Sequence, residues 1–414
     1  MRRREFLKLA AATALAGCAG TSARARVVVV GGGFGGATAA KYIRLWDPSI
    51  DVVLVERESA FTSCPVSNLV LAGFAGMDDI RRGYEGLVRH GVQVVRDEVT
   101  AIDAGKKSVR LARGGPLAYD RLVVSPGIDF NFGEIQGYEA AMNAGRVLHA
   151  WRAGAQTVDL RRQLVQMPER GVCAISIPLA PYRCGPGPYE RASMIAAYFK
   201  QAKPRAKILI LDANPDVTSK AALFKKAWAD LYPGIVEYRG NSLAVGVDAA
   251  TMTLRLEVED VKADVLNVIP PHRAGNIAQK AGLITTNNRW CDVDWRSMES
   301  KAVPGIHVLG DATLSAPAMP KSGSMANNHA KIAAAAIVEL LNGRAPVPVQ
   351  ILNTCYSFVS QKEAIRVSSV HAWDEKERTL KPVAGAGGVS AARSEAEGSL
   401  AWNWARTIWA DSLG

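Results

Sequence analysis

Five cysteines of this chain could carry chemistry once an N-terminal leader is removed: Cys64, Cys173, Cys184, Cys291 and Cys355. A thiolate is a nucleophile and a disulfide is a two-electron store, and outside the cytoplasm a disulfide persists. An odd number of thiols leaves one to be accounted for. Cys184 has the most telling context, "PYRCGPGPYER" from Pro181 to Arg191. It sits where a second nucleotide-binding loop is expected, yet it carries a cysteine and prolines instead of a glycine fingerprint. Cys173, inside the apolar run "RGVCAISIP", and Cys291, in "RWCDVDW", read as structural.

The elements that must position these residues follow from hydrophobic patterning. "ARVVVVGGGFGGATAAKYIRLW" predicts a buried strand, a glycine turn and a helix, and "DVVLVERE" predicts the next strand. Gly31, Gly33 and Gly36 have GxGxxG spacing, and Glu56 closes the second strand. Gly31 permits the tight turn, Gly33 lets backbone approach a pyrophosphate, Gly36 allows helix to pack on strand, and Glu56 accepts from ribose hydroxyls. "RGVCAISIP", "RASMIAAYFKQA" and "AKILILDANP" form a second strand–helix–strand unit. The expected fold is α/β: two Rossmann-like domains, the second inserted in the first, plus a small C-terminal α+β domain. The boundaries are 26–145 with 276–345 for the first domain, 146–275 for the second and 346–414 for the third, where Trp402, Trp404 and Trp409 cover something.

Residues 1–25 read as an export signal, with Arg3 and Arg4 in a twin-arginine pattern and an apolar run too short to span a bilayer. Leu15-Ala16-Gly17-Cys18 also resembles a lipoprotein box, so a lipid anchor at Cys18 and cleavage after Ala25 both stay open; either places the chain in the periplasm. The formal charge of +11 falls to +7 without residues 1–25, which hold five Lys/Arg and one Glu. The excess is spread along the chain with no basic run among aromatics, which argues against nucleic acid and leaves room for a charged protein partner. No metal site is expected.

Ser125-Pro126-Gly127 after one strand and Gly310-Asp311 after another, together with the first glycine motif, resemble the two-dinucleotide-domain flavoproteins. That resemblance implies FAD, with Asp311 at the ribityl and pyrophosphate region, Gly127 in the middle motif and Val99 at the adenine; a helix or turn cap is the other reading of Asp311. More specifically, "FTSCPVSN", "CGPGPYERA" and "NTCYSF" resemble the flavoprotein subunit of flavocytochrome c sulfide dehydrogenase. The resemblance implies a thioether from Cys64 to the 8α-methyl of FAD, a redox-active disulfide between Cys184 and Cys355, and an acidic residue, Glu190, beside the sulfur site, although Glu190 is also an ordinary first-turn acid. Lys321, in "MPKSGSMANNHAK", and the N–H groups of the following helix would then stabilise charge on the reduced ring, the alternative being a capped helix with a solvated lysine.

The activity implied is oxidation of hydrogen sulfide to sulfur or polysulfide, with electrons passed to a c-type cytochrome. No CxxCH occurs, so the haem belongs to a separate subunit, docked over the Trp-rich C-terminal domain or the flavin edge. A sulfide:quinone oxidoreductase is the neighbouring possibility. A flavin electron carrier with a structural disulfide is the non-enzymatic one.

Overall fold

The computed structural model describes residues 24–414. The leader reading, including Cys18, therefore lies almost wholly outside the described residues. Three units meet at the ends of their strands. The first is a seven-stranded sheet whose parallel centre comprises Ile306–Val308, Arg121–Val124, Ala25–Val30, Ile50–Glu56 and Gln93–Arg96, in that spatial order. Val30 pairs with both Val55 and Val124, and Val308 pairs with Val124, so the three loops that follow these strands leave the sheet side by side. Such strands are buried on both faces, and their run of valines is the expected result.

One face of this sheet is covered by the helices Phe34–Trp46 and Gly323–Leu341, which pack against each other. Fully buried Ala37, Ala40, Ala330 and Ala333 allow the close approach. Ser322 caps the second helix by accepting from Met325 N at 3.1 Å.

The second unit is a four-stranded parallel sheet, Val236–Arg239, Lys207–Asp212, Val172–Ile177 and Val265–Val268, with helix Gly187–Ala202 leaving the end of Val172–Ile177 through the Cys184 loop. Its core holds fully buried Tyr189, Phe199 and Phe224. The antiparallel pair Ile128–Phe130 and His272–Ala274 forms the crossing between the two units.

The third unit is an antiparallel sheet of Ile351–Phe358, Ala364–Asp374 and Thr379–Val389, followed by helix Glu395–Leu413. That helix is tied back to the first unit. Asn327 Nδ2 donates to Asp411 Oδ2 at 2.7 Å, and the Thr38 and Ser412 hydroxyls bond at 3.0 Å. Among the described residues no helix is long and apolar enough to cross a membrane.

The glycine turn shows the division of labour expected from its spacing. Gly31 has φ +94°, and a Cβ on Gly36 would stand 1.8 Å from Gly31 O, whereas nothing lies within 4 Å of a Cβ on Gly33. Gly36→Ala is therefore expected to cost about 1–3 kcal/mol in urea unfolding, as overpacking does, while Gly33→Ala leaves the midpoint of the ligand-free protein nearly unchanged.

Candidate active site

The loops after the three adjacent strands open into a cavity of about 580 Å³ that extends to the Cys184 loop and the C-terminal sheet. Gly31, Gly33, Glu56, Val99, Gly127 and Asp311 lie on its wall at the first unit. Cys64, Cys184, Glu190 and Cys355 line its other end. Gly36 does not reach the wall, since its task is packing.

The dinucleotide end is built from backbone and two carboxylates. Glu56 accepts from Gly32 N at 2.6 Å and from Glu58 N at 2.8 Å, which fixes it beside the glycine turn with lone pairs to spare. Asp311 follows Gly310, whose φ of +68° turns the chain sharply after the strand. Asp311 Oδ1 is buried and has no protein partner. Burial raises the pKa of this carboxyl, while the charges of Arg183 and Lys321 pull it down. An orphaned buried acceptor beside an open glycine turn fits a polyhydroxyl chain and pyrophosphate.

Lys321 differs from its sequence expectation. Its ammonium donates to the carbonyls of Asp311, at 3.1 Å, and Thr313, and lies 3.7 Å from the centre of the Trp290 ring. The residue is absent from the cavity wall, so it holds the Asp311 turn from behind instead of facing a ring. A buried ammonium must find acceptors, and these carbonyls supply them; burial still pushes it down to about 7. The neighbouring Ser322, Gly323 and Ser324 do line the cavity, at the start of their helix.

Cys64 lies between strand Phe61–Thr62 and helix Ser67–Ala72, and its carbonyl accepts from Ser67 N at 3.1 Å and Ser67 Oγ at 2.6 Å. Its sulfur points toward Trp151 O at 3.9 Å. Cys184 adopts a left-handed φ of +61°, uncommon for a side chain with a Cβ. Its N–H donates to Lys321 O at 2.9 Å, and its carbonyl accepts from Gly187 N at 2.9 Å. Only glycine fits at 187, where a Cβ would come within 2.8 Å of the Cys184 sulfur and 2.9 Å of the Trp151 ring.

Cys184 and Cys355 are 171 residues apart in sequence, stand together as thiols, and ionise unequally. The hydrogen bond from Cys184 and then the Lys220 charge hold the Cys355 thiol below its usual range, against burial. Cys184 is held well above its own by that same bond, by burial and by the charges of Cys355 and Glu190. Glu190 is buried, accepting from Phe358 N at 2.8 Å and Asn68 Nδ2 at 2.9 Å, and burial raises its pKa. Arg191 beside it is also buried, its guanidinium spread over the carbonyls of His149 and Ala150 and the side chains of Asn68 and Asn267.

Sequence reasoning missed Asn68, Trp151, Arg191 and Lys220; each meets its partners across more than 30 residues of chain, so no local spacing marks them. Of the three tryptophans of the last helix, Trp404 lines the cavity. Trp402 packs on Phe358, and Trp409 is buried under the Arg82 guanidinium at 3.9 Å. Cys173 and Cys291 are fully buried, and burial pushes both thiols up to about 12, as structural cysteines require.

In the second Rossmann unit the acid that would bind a ribose is already engaged. Asp212 ends its second strand, the position of a ribose-binding acid. Its carboxylate instead accepts from Tyr189 OH at 2.6 Å, Tyr238 OH at 3.0 Å and Asn214 N at 3.0 Å. Tyr189 comes from the helix that follows Cys184, so the segment that carries the cysteine also carries a group that occupies the acid.

Comparison with known proteins agrees with this geometry. Residues 157–270 match the family model of the central part of the sulfide dehydrogenase [flavocytochrome c] flavoprotein chain. Residues 347–413 match the flavin-binding part of flavocytochrome c sulphide dehydrogenase, and residues 25–170 match pyridine nucleotide-disulphide oxidoreductases. A sulfide dehydrogenase [flavocytochrome c] flavoprotein chain from Chlorobaculum thiosulfatiphilum is 69% identical over 45 residues, covering 11% of this chain and 94% of that sequence. The mitochondrial sulfide:quinone oxidoreductase of Mus musculus is 23% identical over 301 residues, 69% of this chain and 65% of that one; the match thus spans just under two thirds of that relative. The crystal structure of sulfide:quinone oxidoreductase from Aquifex aeolicus shares the fold, with a TM-score of 0.76 at 16% identity over 94% of this chain and 91% of that one. Two models dedicated to the flavoprotein chain of flavocytochrome c sulfide dehydrogenase thus match this chain, one across Cys184 and the other across Cys355, and with the Chlorobaculum thiosulfatiphilum relative they show its likeness to that family.

Proposed function

We propose that the chain oxidises hydrogen sulfide to sulfur or polysulfide through a redox-active Cys184–Cys355 disulfide, with FAD held covalently at Cys64 and electrons passed to a c-type cytochrome subunit. The observation that carries this reading is the convergence of Cys64, Cys184, Cys355 and Glu190 on one cavity whose far end is a dinucleotide cradle. When bound, FAD supplies a two-electron acceptor that gives its electrons up singly. The glycine turn and Asp311 would hold its pyrophosphate and ribityl chain, Glu56 its ribose and Val99 its adenine. The thioether at Cys64 keeps the cofactor in place outside the cytoplasm.

The protein's own residues do the sulfur chemistry. Hydrosulfide attacks the disulfide, a bond forms to one sulfur, and the other leaves as a thiolate. Glu190 takes the proton that hydrogen sulfide gives up before the attack, a task suited to a carboxyl whose pKa is raised by burial. Trp151 and the buried Arg191 close the wall beside the sulfurs and leave a site for a small nucleophile, not for a nicotinamide. Export of the folded protein by the twin-arginine route places this chemistry in the periplasm.

The sulfide:quinone relatives favour one competing reading, in which a quinone takes the electrons. Turnover with cytochrome c faster than with a soluble quinone is expected; the reverse preference assigns the chain to that reaction. NADH is not expected to reduce the flavin at a catalytic rate, because Asp212 is already engaged.

Acid precipitation of the wild-type protein should leave the flavin colour in the pellet, and Cys64→Ser should release it to the supernatant. Cys355→Ser should lower sulfide-driven cytochrome c reduction on the order of a hundredfold or more, because no second sulfur remains to leave; unchanged turnover would make the pair a structural staple and the chain an electron carrier.

A further inference from the structure

Lys220 is a residue to which neither the sequence nor the comparisons assign a role. It directly precedes helix Ala221–Leu231 and adopts a left-handed φ of +56°, a conformation in which a long side chain is unusual. The residue is only 8% exposed. Its ammonium donates to Ser357 Oγ at 2.8 Å and approaches the carbonyls of Cys355 and Ile365 at 3.5 Å each. All three acceptors are neutral. A buried cation held only by neutral oxygens carries a desolvation cost that a nearby negative charge would offset.

The groups facing this cation are few. Cys355, Glu190, Cys184 and Glu397 act on Lys220, and Cys184, Lys220 and Glu190 act on Cys355. Glu397 is engaged elsewhere, accepting from Ser390 Oγ at 2.9 Å and pairing with Arg366 at 3.7 Å. Glu190 is held by Phe358 N on one oxygen and by Asn68 Nδ2 on the other. Of the two cysteines that remain, Cys355 is the one whose residue Lys220 touches: its carbonyl lies 3.5 Å from the ammonium, and Ser357, two residues along the same strand, accepts at 2.8 Å.

We propose that Lys220 is a positioning residue that makes Cys355 the anionic member of the cysteine pair, so that the disulfide opens with Cys355 as the leaving sulfur. This rests on the sulfide-oxidising reading above. Hydrosulfide attacks the Cys184 sulfur, a new S–S bond makes a persulfide there, the Cys184–Cys355 bond breaks, and its electron pair leaves on Cys355 beside Lys220. No outside oxidant enters this step, and the proton of hydrosulfide stays on the persulfide. A leaving thiol of lower pKa departs faster, which gives the opening a direction.

The test is alkylation of the reduced, flavin-loaded protein with iodoacetamide over a pH series, with each cysteine followed by peptide mass spectrometry. In the wild type, Cys355 should be labelled ahead of Cys184, with a midpoint below that of an ordinary thiol. Lys220→Met should slow labelling of Cys355 near neutral pH roughly tenfold and move its midpoint up, as loss of a neighbouring cation does, and Lys220→Arg should restore it. Lys220→Gln, which keeps a donor toward Ser357 without the charge, gives the same reading should the methionine variant fail to fold. Labelling of Cys184 first in the wild type, or an unchanged Cys355 profile in the neutral variants, would overturn the proposal. The labelling needs neither sulfide nor an electron acceptor, so a protein that shows the expected order but no sulfide turnover would count against the proposed function and not against the role of Lys220.

Discussion

The N–H of Cys184 donates to the carbonyl of Lys321, and the site depends on that bond. It joins the loop of the second Rossmann unit to the turn that starts the long helix of the first. The side chain of Lys321 holds the carbonyls of Asp311 and Thr313, so one residue links the sulfur loop to the dinucleotide cradle. Cys184 must take up a left-handed backbone to make the bond, a conformation held by surroundings that over-determine it. The C-terminal sheet adds the third fixed point through Phe358 N on Glu190, six residues after Cys184. The two sulfurs thus belong to different units, and their distance is set by contacts between three domains.

This arrangement shows how a nucleotide scaffold is put to another use. The strand before Cys184 and the helix after it keep Rossmann geometry, and the ligand position at the end of the strand is kept as well. What differs from a nucleotide site is the occupant. Tyr189 and Tyr238 engage the acid at the ribose position, Trp151 packs against Gly187, and the cysteine stands where a nicotinamide would be delivered. Charge is managed in the same compact way: Arg191 is satisfied by four acceptors near Cys64 and Cys184, and Lys220 lies behind Cys355 with only neutral ones.

Much of this was legible in the sequence because it is local. Gly31, Gly33, Gly36 and Glu56 announce themselves by spacing within one strand–helix–strand unit, and the roles of Gly36 as packing and Gly33 as open backbone follow from the absence of a Cβ. Asp311 is marked by the strand before it. The residues that escaped notice act at a distance. Nothing in "DVTSKAALF" says that Lys220 meets a strand 135 residues later, and Asn68 reads as part of an apolar helix until Glu190 arrives across 122 residues. Lys321 was found for a reason that the structure changes: a lysine at a helix start suggests an exposed or ligand-facing charge, but burial turned its ammonium onto the nearest carbonyls. Pairing over long separations and the direction of a buried charge are tertiary properties, and short-range pattern does not encode them.

The central claim is that the cavity contains two redox centres, a flavin and a cysteine pair. Anaerobic reductive titration of the oxidised protein, compared with Cys184→Ser, tests it most directly. The account predicts that the wild type takes up twice as many electrons per flavin as the variant; equal uptake by the two proteins would contradict it.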